Sequence, residues 1–235
     1  MPSDSPIQKK PLQIDYFSDL LCVWAYGAQI RIDKIKEKFS DQIIIYPRFV
    51  SMFGDIETKM STDWAEKGGY EGFNQHAHEV CAQWDHVKLH GDVWSRVAPV
   101  SSIPAHLLMK SIQLWQAEQT ESSSNNAIVD QVAWKLRCAF FQHAENIAHE
   151  DTLKAIINSL NLPWDEIVHY EKSGEAHAAL HRDRELSEEF RIPGSPALLL
   201  NEGRQMLYGN VGYRVIEANI VELLQKPTIG EPSWC

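Results

Sequence analysis

Positive charge is scarce in this chain: 22 Lys and Arg stand against 32 Asp and Glu, a formal net charge of −10 at pH 7. Phosphate backbones and anionic bilayers are gripped mainly through clustered Lys and Arg, so neither nucleic acid nor a membrane is an expected partner. Long apolar runs are missing as well. No stretch reaches the roughly eighteen unbroken apolar residues of a membrane-spanning helix, and the polar residues 1–10 lack the apolar core and small-residue cleavage site of a secretory signal. The protein is therefore expected in the cytoplasm, with residues 1–10 as a frayed tail. Cysteine is sparse too. The four, at positions 22, 81, 138 and 235, never form a C-x-x-C pair, which removes the usual signature of a zinc site or a dithiol redox centre. In a reducing compartment they should be free thiols. Ten histidines include the close pairs His76/His78, His86/His90 and His177/His181. The last two can each share a helix face, but no H-E-x-x-H glutamate or ligand-spaced cysteine accompanies them, so they read as solvated and no metal site is assigned.

What remains is an ordinary globular composition, 235 residues of which 44% are apolar, enough for a substantial core. Residues 12–17 (LQIDYF) read as a short buried strand, with Ser18 and Asp19 as turn or cap residues. The clearest periodic signal follows. Ala25, Ala28, Ile32, Ile35 and Phe39 recur at spacings of three and four, with charged residues between them, which predicts an amphipathic helix. Residues 42–49 (QIIIYPRF) read as a second strand, making a βαβ unit whose strands should be parallel. From residue 54 to about 191 strand-like runs vanish and helical spacings dominate, with 103–118, 128–148 and 151–160 the most legible helices and the polar run 121–126 as a break. Strands return at 196–200 (PALLL), and 201–203 reads as a tight turn into a partner strand at 204–208. A last helix over about 214–224 carries Ile216, Ile220 and Leu223 on one face, Pro227 stops it, and the tail 228–235 reads as irregular. Trp84, Trp94 and Trp115, with His106 among them, are expected in the core of the helical block rather than around a cleft. The charge run 181–189 (HRDRELSEE) reads as a solvated helix face.

Two of these segments carry a family likeness. Asp15-Tyr16-Phe17-Ser18-Asp19-Leu20-Leu21-Cys22-Val23-Trp24-Ala25-Tyr26-Gly27 resembles the active-site region of DsbA-like proteins, especially the FrnE-like branch, where a strand runs into a C-P-W-C motif that opens a helix. Ile192-Pro193-Gly194-Ser195-Pro196-Ala197-Leu198-Leu199-Leu200 resembles that family's loop, whose cis proline faces the active-site cysteine, and Gly209-Asn210-Val211-Gly212-Tyr213 resembles its closing turn. The likeness implies an α/β protein, a thioredoxin fold with a large inserted all-helical domain: residues 11–55 and 191–226 as the two halves of the thioredoxin fold and 56–190 as the insert. It further implies Cys22 as nucleophile, Ser195 and Pro196 as the loop that positions substrate, Trp24, Ala25 and Tyr26 beside the thiol, glutathione or another thiol or disulfide as partner, and no tightly bound cofactor. A homodimer is compatible with the sequence.

The chain departs from the family where the chemistry lies. The C-P-W-C of dithiol members is replaced by Cys22-Val23-Trp24-Ala25, so no disulfide can close across the motif and glutathione would have to resolve any mixed disulfide. Cys81, Cys138 and Cys235 are the only other thiols, and Cys138 lies in an apolar run where it should pack as a small hydrophobe. A helix N-terminus favours thiolate over thiol at Cys22, whereas Asp19 would oppose ionisation if its side chain turned inward. Sequence alone leaves the sign of that balance open. It also leaves two other functions open: a glutathione-dependent transferase or isomerase of small aromatic compounds, by a more distant resemblance to kappa-class glutathione transferases and 2-hydroxychromene-2-carboxylate isomerases, and a catalytically silent binding module.

Overall fold

The computed structural model describes residues 10–119 and 127–225. The expected break at 121–126, the Pro227 stop, Cys235 and its irregular tail, and all but the last residue of the expected N-terminal tail lie outside them.

Four strands form one sheet in the order β2-β1-β3-β4: β1 (Leu12–Ser18), β2 (Ile43–Phe49), β3 (Ala197–Leu200) and β4 (Gln205–Tyr208). β1 runs parallel to β2, from Leu12 opposite Ile43 to Ser18 opposite Phe49. It runs antiparallel to β3, with Tyr16 opposite Leu198. Alternation sorts the side chains onto two faces. Ile14, Tyr16, Ile43, Ile45, Leu198 and Leu200 pack with Ile32, Ile35 and Phe39 of helix α1 (Val23–Phe39) and with Ile216 and Ile220 of the last helix, α9 (Tyr213–Gln225). Phe17, Val50, Ala197 and Leu199 meet the opposite layer. Pro47, which has no amide hydrogen for a ladder bond, is tolerated because β2 is an edge strand.

Between β2 and β3 the chain is helical: α2 (Ile56–Ser61), α3 (Gly69–Cys81), α4 (Ile103–Gln119), α5 (Ala127–His143), α6 (Glu150–Ser159), α7 (Trp164–Lys172) and α8 (Glu175–Glu189). The architecture is thus the thioredoxin fold with a helical insertion that the strand and helix order implied. Its largest core cluster joins the first turn of α1 to the inserted helices, through Leu20, Leu21, Ala25 and Tyr26 on one side and Phe73, Trp94, Phe140 and Phe141 on the other.

Three local readings need correction. α5 stops at His143, not near residue 148, because Ala144 turns left-handed (φ 53°) and the Glu145 N–H closes the end on the Ala139 carbonyl at 2.9 Å. The 201–203 turn extends to Arg204, so that four residues join Leu200 to its partner Gln205, with left-handed φ of 54°, 55° and 87° at Asn201, Glu202 and Gly203. The charge run 181–189 is not uniformly solvated. Asp183 is only 1% exposed, because its carboxylate takes the Lys110 ammonium at 2.5 Å and the Phe49 amide hydrogen at 2.8 Å.

Candidate active site

The link from β1 to α1 is four buried residues, Asp19 to Cys22, and its conformation is dictated by a carboxylate. Asp19 is fully buried. One of its oxygens accepts from the Leu21 N–H at 2.8 Å. The other accepts from the Phe53 N–H at 3.0 Å and the Ser102 hydroxyl at 2.8 Å. Three segments distant in sequence are therefore tied to one side chain, which meets the requirement that a buried charge be hydrogen-bonded. His106, one turn into α4 and also fully buried, accepts the Leu20 N–H at 3.2 Å through Nε2. An imidazole accepting there carries its proton on Nδ1, so the 3.5 Å approach of the same Nε2 to Asp19 is not a hydrogen bond.

This bracing sets Cys22 as the N-cap of α1, with φ −81° and ψ 114°. Its carbonyl accepts the Tyr26 N–H at 3.0 Å, and its sulfur occupies the place that a serine oxygen takes at an ordinary cap. From 173 residues away comes the Ser195–Pro196 peptide bond, which is cis. The Cys22 thiol donates to the Ser195 carbonyl at 3.2 Å, while the Ser195 hydroxyl oxygen accepts the Asp19 N–H at 2.9 Å. One serine thus contacts both ends of the Asp19–Cys22 turn.

The electrostatic balance at Cys22 tips toward the thiol. Burial pushes its pKa up, outweighing the Ser195 hydroxyl and the backbone N–H groups of Ala25 and Trp24, which pull it down; the Asp19 charge adds to the rise. A carbonyl oxygen facing a sulfur also favours S–H over S−, since only the thiol can donate to it. The helix N-terminus therefore does not by itself make this a thiolate. At pH 7 the alkylation rate of Cys22 should be slow, and it should climb about tenfold per pH unit up to about pH 9 without levelling, since only the thiolate reacts and its fraction is still rising. A plateau in the iodoacetamide rate below about pH 8.5 would contradict this balance.

The remaining sequence candidates divide. Ala25 is fully buried beneath the sulfur. Trp24 is half-buried and meets Trp84 edge-on at 5.6 Å between ring centroids. Trp84 lies directly across α1 at Gly27, where a Cβ would come within 2.1 Å of its ring, so only glycine admits that approach. Tyr26 is a correction: it is a core residue and not a wall of the thiol site. Its ring is fully buried, stacked on Phe141 at 4.7 Å and Trp134 at 5.4 Å, and its hydroxyl donates to the Lys88 carbonyl and accepts from Gln142. Trp94 is buried against Phe53, Phe73 and Phe140. Trp115 donates to Glu166 at 3.0 Å. Trp84 and Trp115 are partly buried and pack against the same core cluster that holds Trp94, and His106 is fully buried, so the expected core placement holds, with Trp84 also meeting Trp24.

Cys81 is buried, and burial pushes its thiol up to about 11. Cys138 is half-buried and accepts from Gln142 at 3.3 Å, a polar contact that the apolar-run reading did not contain. Of the histidine pairs, His86 touches the Gly27 carbonyl at 2.9 Å, His76 lies against Trp64 and Phe73, and His181 faces Glu185 in solvent. Among the described residues no group of three or more His, Cys, Asp or Glu is placed to hold a metal ion, and no helix is long and apolar enough to cross a membrane.

No curated protein matches the chain in sequence. Among solved structures, it is similar to a candidate protein disulfide isomerase from Nitrosomonas europaea (18% identity, 93% of this chain and 100% of that one, TM-score 0.71). It is similar also to the cytosolic disulfide reductase DsbM from Pseudomonas aeruginosa (18%, 90% and 100%, TM-score 0.67), solved in addition with GSH (15%, 89% and 99%, TM-score 0.65). A 2-hydroxychromene-2-carboxylate isomerase aligns as well (13%, 91% and 97%, TM-score 0.62). Identities this low establish the shared fold. The family model of the DSBA-like thioredoxin domain, however, matches residues 13–221, and over that span lie the β1–α1 turn, the helical insertion and the cis Ser195–Pro196 bond; the chain belongs to the DSBA-like thioredoxin domain family.

Proposed function

We propose that this protein is a monothiol, glutathione-linked thiol–disulfide oxidoreductase of a reducing cytoplasm, with Cys22 as nucleophile and the Ser195–Pro196 loop as the positioning edge. The observation that carries this reading is the 3.2 Å contact between the Cys22 sulfur and the Ser195 carbonyl. In that arrangement the resting thiol is a placeholder on a backbone acceptor. When Cys22 loses its proton the S–H donor disappears, and the Ser195 carbonyl is freed for an amide hydrogen of an extended substrate. The Cys22 thiolate attacks one sulfur of a disulfide, forming a mixed disulfide and expelling the other sulfur as a thiolate that takes up a proton. With Ala25 where a resolving cysteine would stand, a first glutathione thiolate attacks the Cys22 sulfur of the mixed disulfide, expelling the second substrate sulfur as a thiolate that takes up a proton and leaving Cys22 joined to glutathione; a second glutathione thiolate attacks the glutathione sulfur of that disulfide, releasing Cys22 and forming oxidised glutathione. Two molecules of glutathione supply the two electrons of each complete reduction. A neighbour that is a disulfide reductase, solved with GSH, supports the same partner.

A second reading rests on the burial of that sulfur. A thiol held protonated can donate its S–H to the sulfur of bound glutathione without attacking anything, which is the arrangement a glutathione-dependent isomerase or transferase needs, and an isomerase is among the structural neighbours. Oxidised glutathione at about pH 9, where more of Cys22 is thiolate than at pH 7, separates the two. Intact-mass analysis should show a single glutathione adduct that is absent from Cys22→Ser. If Cys22 acquires no adduct while reduced glutathione raises the melting temperature of both wild type and Cys22→Ser, the exchange reading is wrong and the isomerase or transferase reading replaces it. If neither adduct nor shift is seen, a silent binding module is what remains.

A further inference from the structure

Tyr208 ends β4 directly opposite Ala197, the first residue of β3, so it stands beside the loop that carries Ser195 and the cis Pro196. Alternation along β4 puts its side chain on the face where Ala197 packs, away from α1. Tyr208 is 52% exposed, and it is the one aromatic ring among the exposed large apolar side chains of the described residues.

The ring is seated by a missing side chain. Gly194 is buried beneath it: a Cβ there would stand 2.9 Å from the Tyr208 hydroxyl oxygen and 3.1 and 3.4 Å from two ring carbons, so glycine is what lets the ring lie this close to the backbone. The next residue is Ser195, whose carbonyl takes the Cys22 thiol at 3.2 Å. The backbone under the ring is thus continuous with the carbonyl that touches the sulfur, and the ring itself is carried by a paired strand, which fixes its position.

We propose that Tyr208 is a specificity-determining residue of the Cys22 site, its exposed ring receiving an aromatic or large aliphatic side chain within two residues of the cysteine of an extended polypeptide disulfide. This rests on thiol–disulfide exchange at Cys22 and names the substrate class: a polypeptide with apolar neighbours to its cysteine, with glutathione, which has none, as the reductant. A chain that pairs in extended form with the Ser195 carbonyl passes over Gly194 on one side of its cysteine, and there the surface it meets is the Tyr208 ring.

The test uses two symmetric disulfides, of the peptides Lys-Phe-Phe-Cys-Phe-Phe-Lys and Lys-Ala-Ala-Cys-Ala-Ala-Lys. In each, the Cys22 thiolate bonds to one peptide sulfur as the S–S bond breaks, and the other peptide leaves as a thiolate that takes up a proton. The rate of the Cys22–peptide adduct is read by intact mass at about pH 9 and divided by the rate of glutathione with the same disulfide, which removes intrinsic differences between the peptides. Wild type should favour the Phe peptide about three- to tenfold, the size of one aromatic contact. Tyr208→Phe should keep that preference. Tyr208→Ala should lose it with the rate on the Ala peptide unchanged, a split that simple loosening of the loop would not produce; Tyr208→Thr, a good strand former, serves if the alanine variant does not fold. Met206→Ala, at the other exposed apolar residue of β4, should behave as wild type. Equal rates on the two peptides in wild type, a preference that survives in Tyr208→Ala, or its loss in Met206→Ala as well would overturn the role of Tyr208 and leave exchange at Cys22 standing. If neither peptide forms an adduct at Cys22, the exchange activity itself is wrong and this inference falls with it.

Discussion

Asp19→Ala should lower the unfolding free energy by about 3–5 kcal/mol, the cost usual for removing one member of a buried charged network. The substitution strands the N–H groups of Leu21 and Phe53 and the Ser102 hydroxyl, and each buried donor left unpaired costs about 1–3 kcal/mol. Urea unfolding with an unchanged slope measures it directly. The chemical consequence is distinguishable from the loss of stability. Once the β1–α1 turn is freed, the sulfur is no longer held against the Ser195 carbonyl, so at a temperature where the variant is still folded Cys22 should alkylate faster at pH 7 than in wild type. A loss under 1 kcal/mol would show that the loop is held by packing and not by the carboxylate.

The second large effect lies at the Lys110–Asp183 pair, where α4 and α8 of the insert meet β2. Both residues are nearly inaccessible, 3% and 1% exposed, and burial pulls the Lys110 pKa down while the 2.5 Å contact with Asp183 opposes that fall. The Lys110 ammonium also lies over the Phe49 ring, 5.4 Å from its centroid. Asp183→Ala leaves that ammonium with Gln113 alone as a hydrogen-bond acceptor and orphans the Phe49 N–H, so a loss of about 3–5 kcal/mol is expected. The double variant Lys110→Met/Asp183→Leu, which removes both charges and keeps volume, should recover most of that loss, the Phe49 N–H alone remaining unpaired at about 1–3 kcal/mol. Calorimetry or urea titration of the two singles and the double forms a double-mutant cycle. Additive losses would show that the pair is not coupled. His106 lies one turn before Lys110 on α4, so the same pair that registers the insert against the sheet also sets the height of the imidazole under Leu20.

These two networks mark where sequence reading stops. Strands 12–18 and 43–49 and helix 23–39 are written in local composition: β-branched runs, period two in the sheet, spacings of three and four in the helix. The hairpin turn and the helical character of the insert are equally local. Asp19, Phe53, Ser102 and His106 have no such signature, because what makes them a unit is hydrogen bonds between segments 34 to 86 residues apart. Asp183 misleads in the opposite direction. Surrounded by charged neighbours it reads as a solvated residue, yet it is buried because Lys110, 73 positions earlier, is there to meet it.

By itself the sequence determined the class of fold, the order of its elements, and the reduction of the active-site motif to one thiol, since each follows from residue type and spacing along a few turns of chain. Only the tertiary structure decided that this thiol rests protonated against the Ser195 carbonyl, that Tyr26 belongs to the core, and that the Tyr208 ring lies against Gly194. The reason is physical. Desolvation and Coulomb energies depend on what surrounds a group in three dimensions, and the groups surrounding these residues come from parts of the chain that local spacing does not relate.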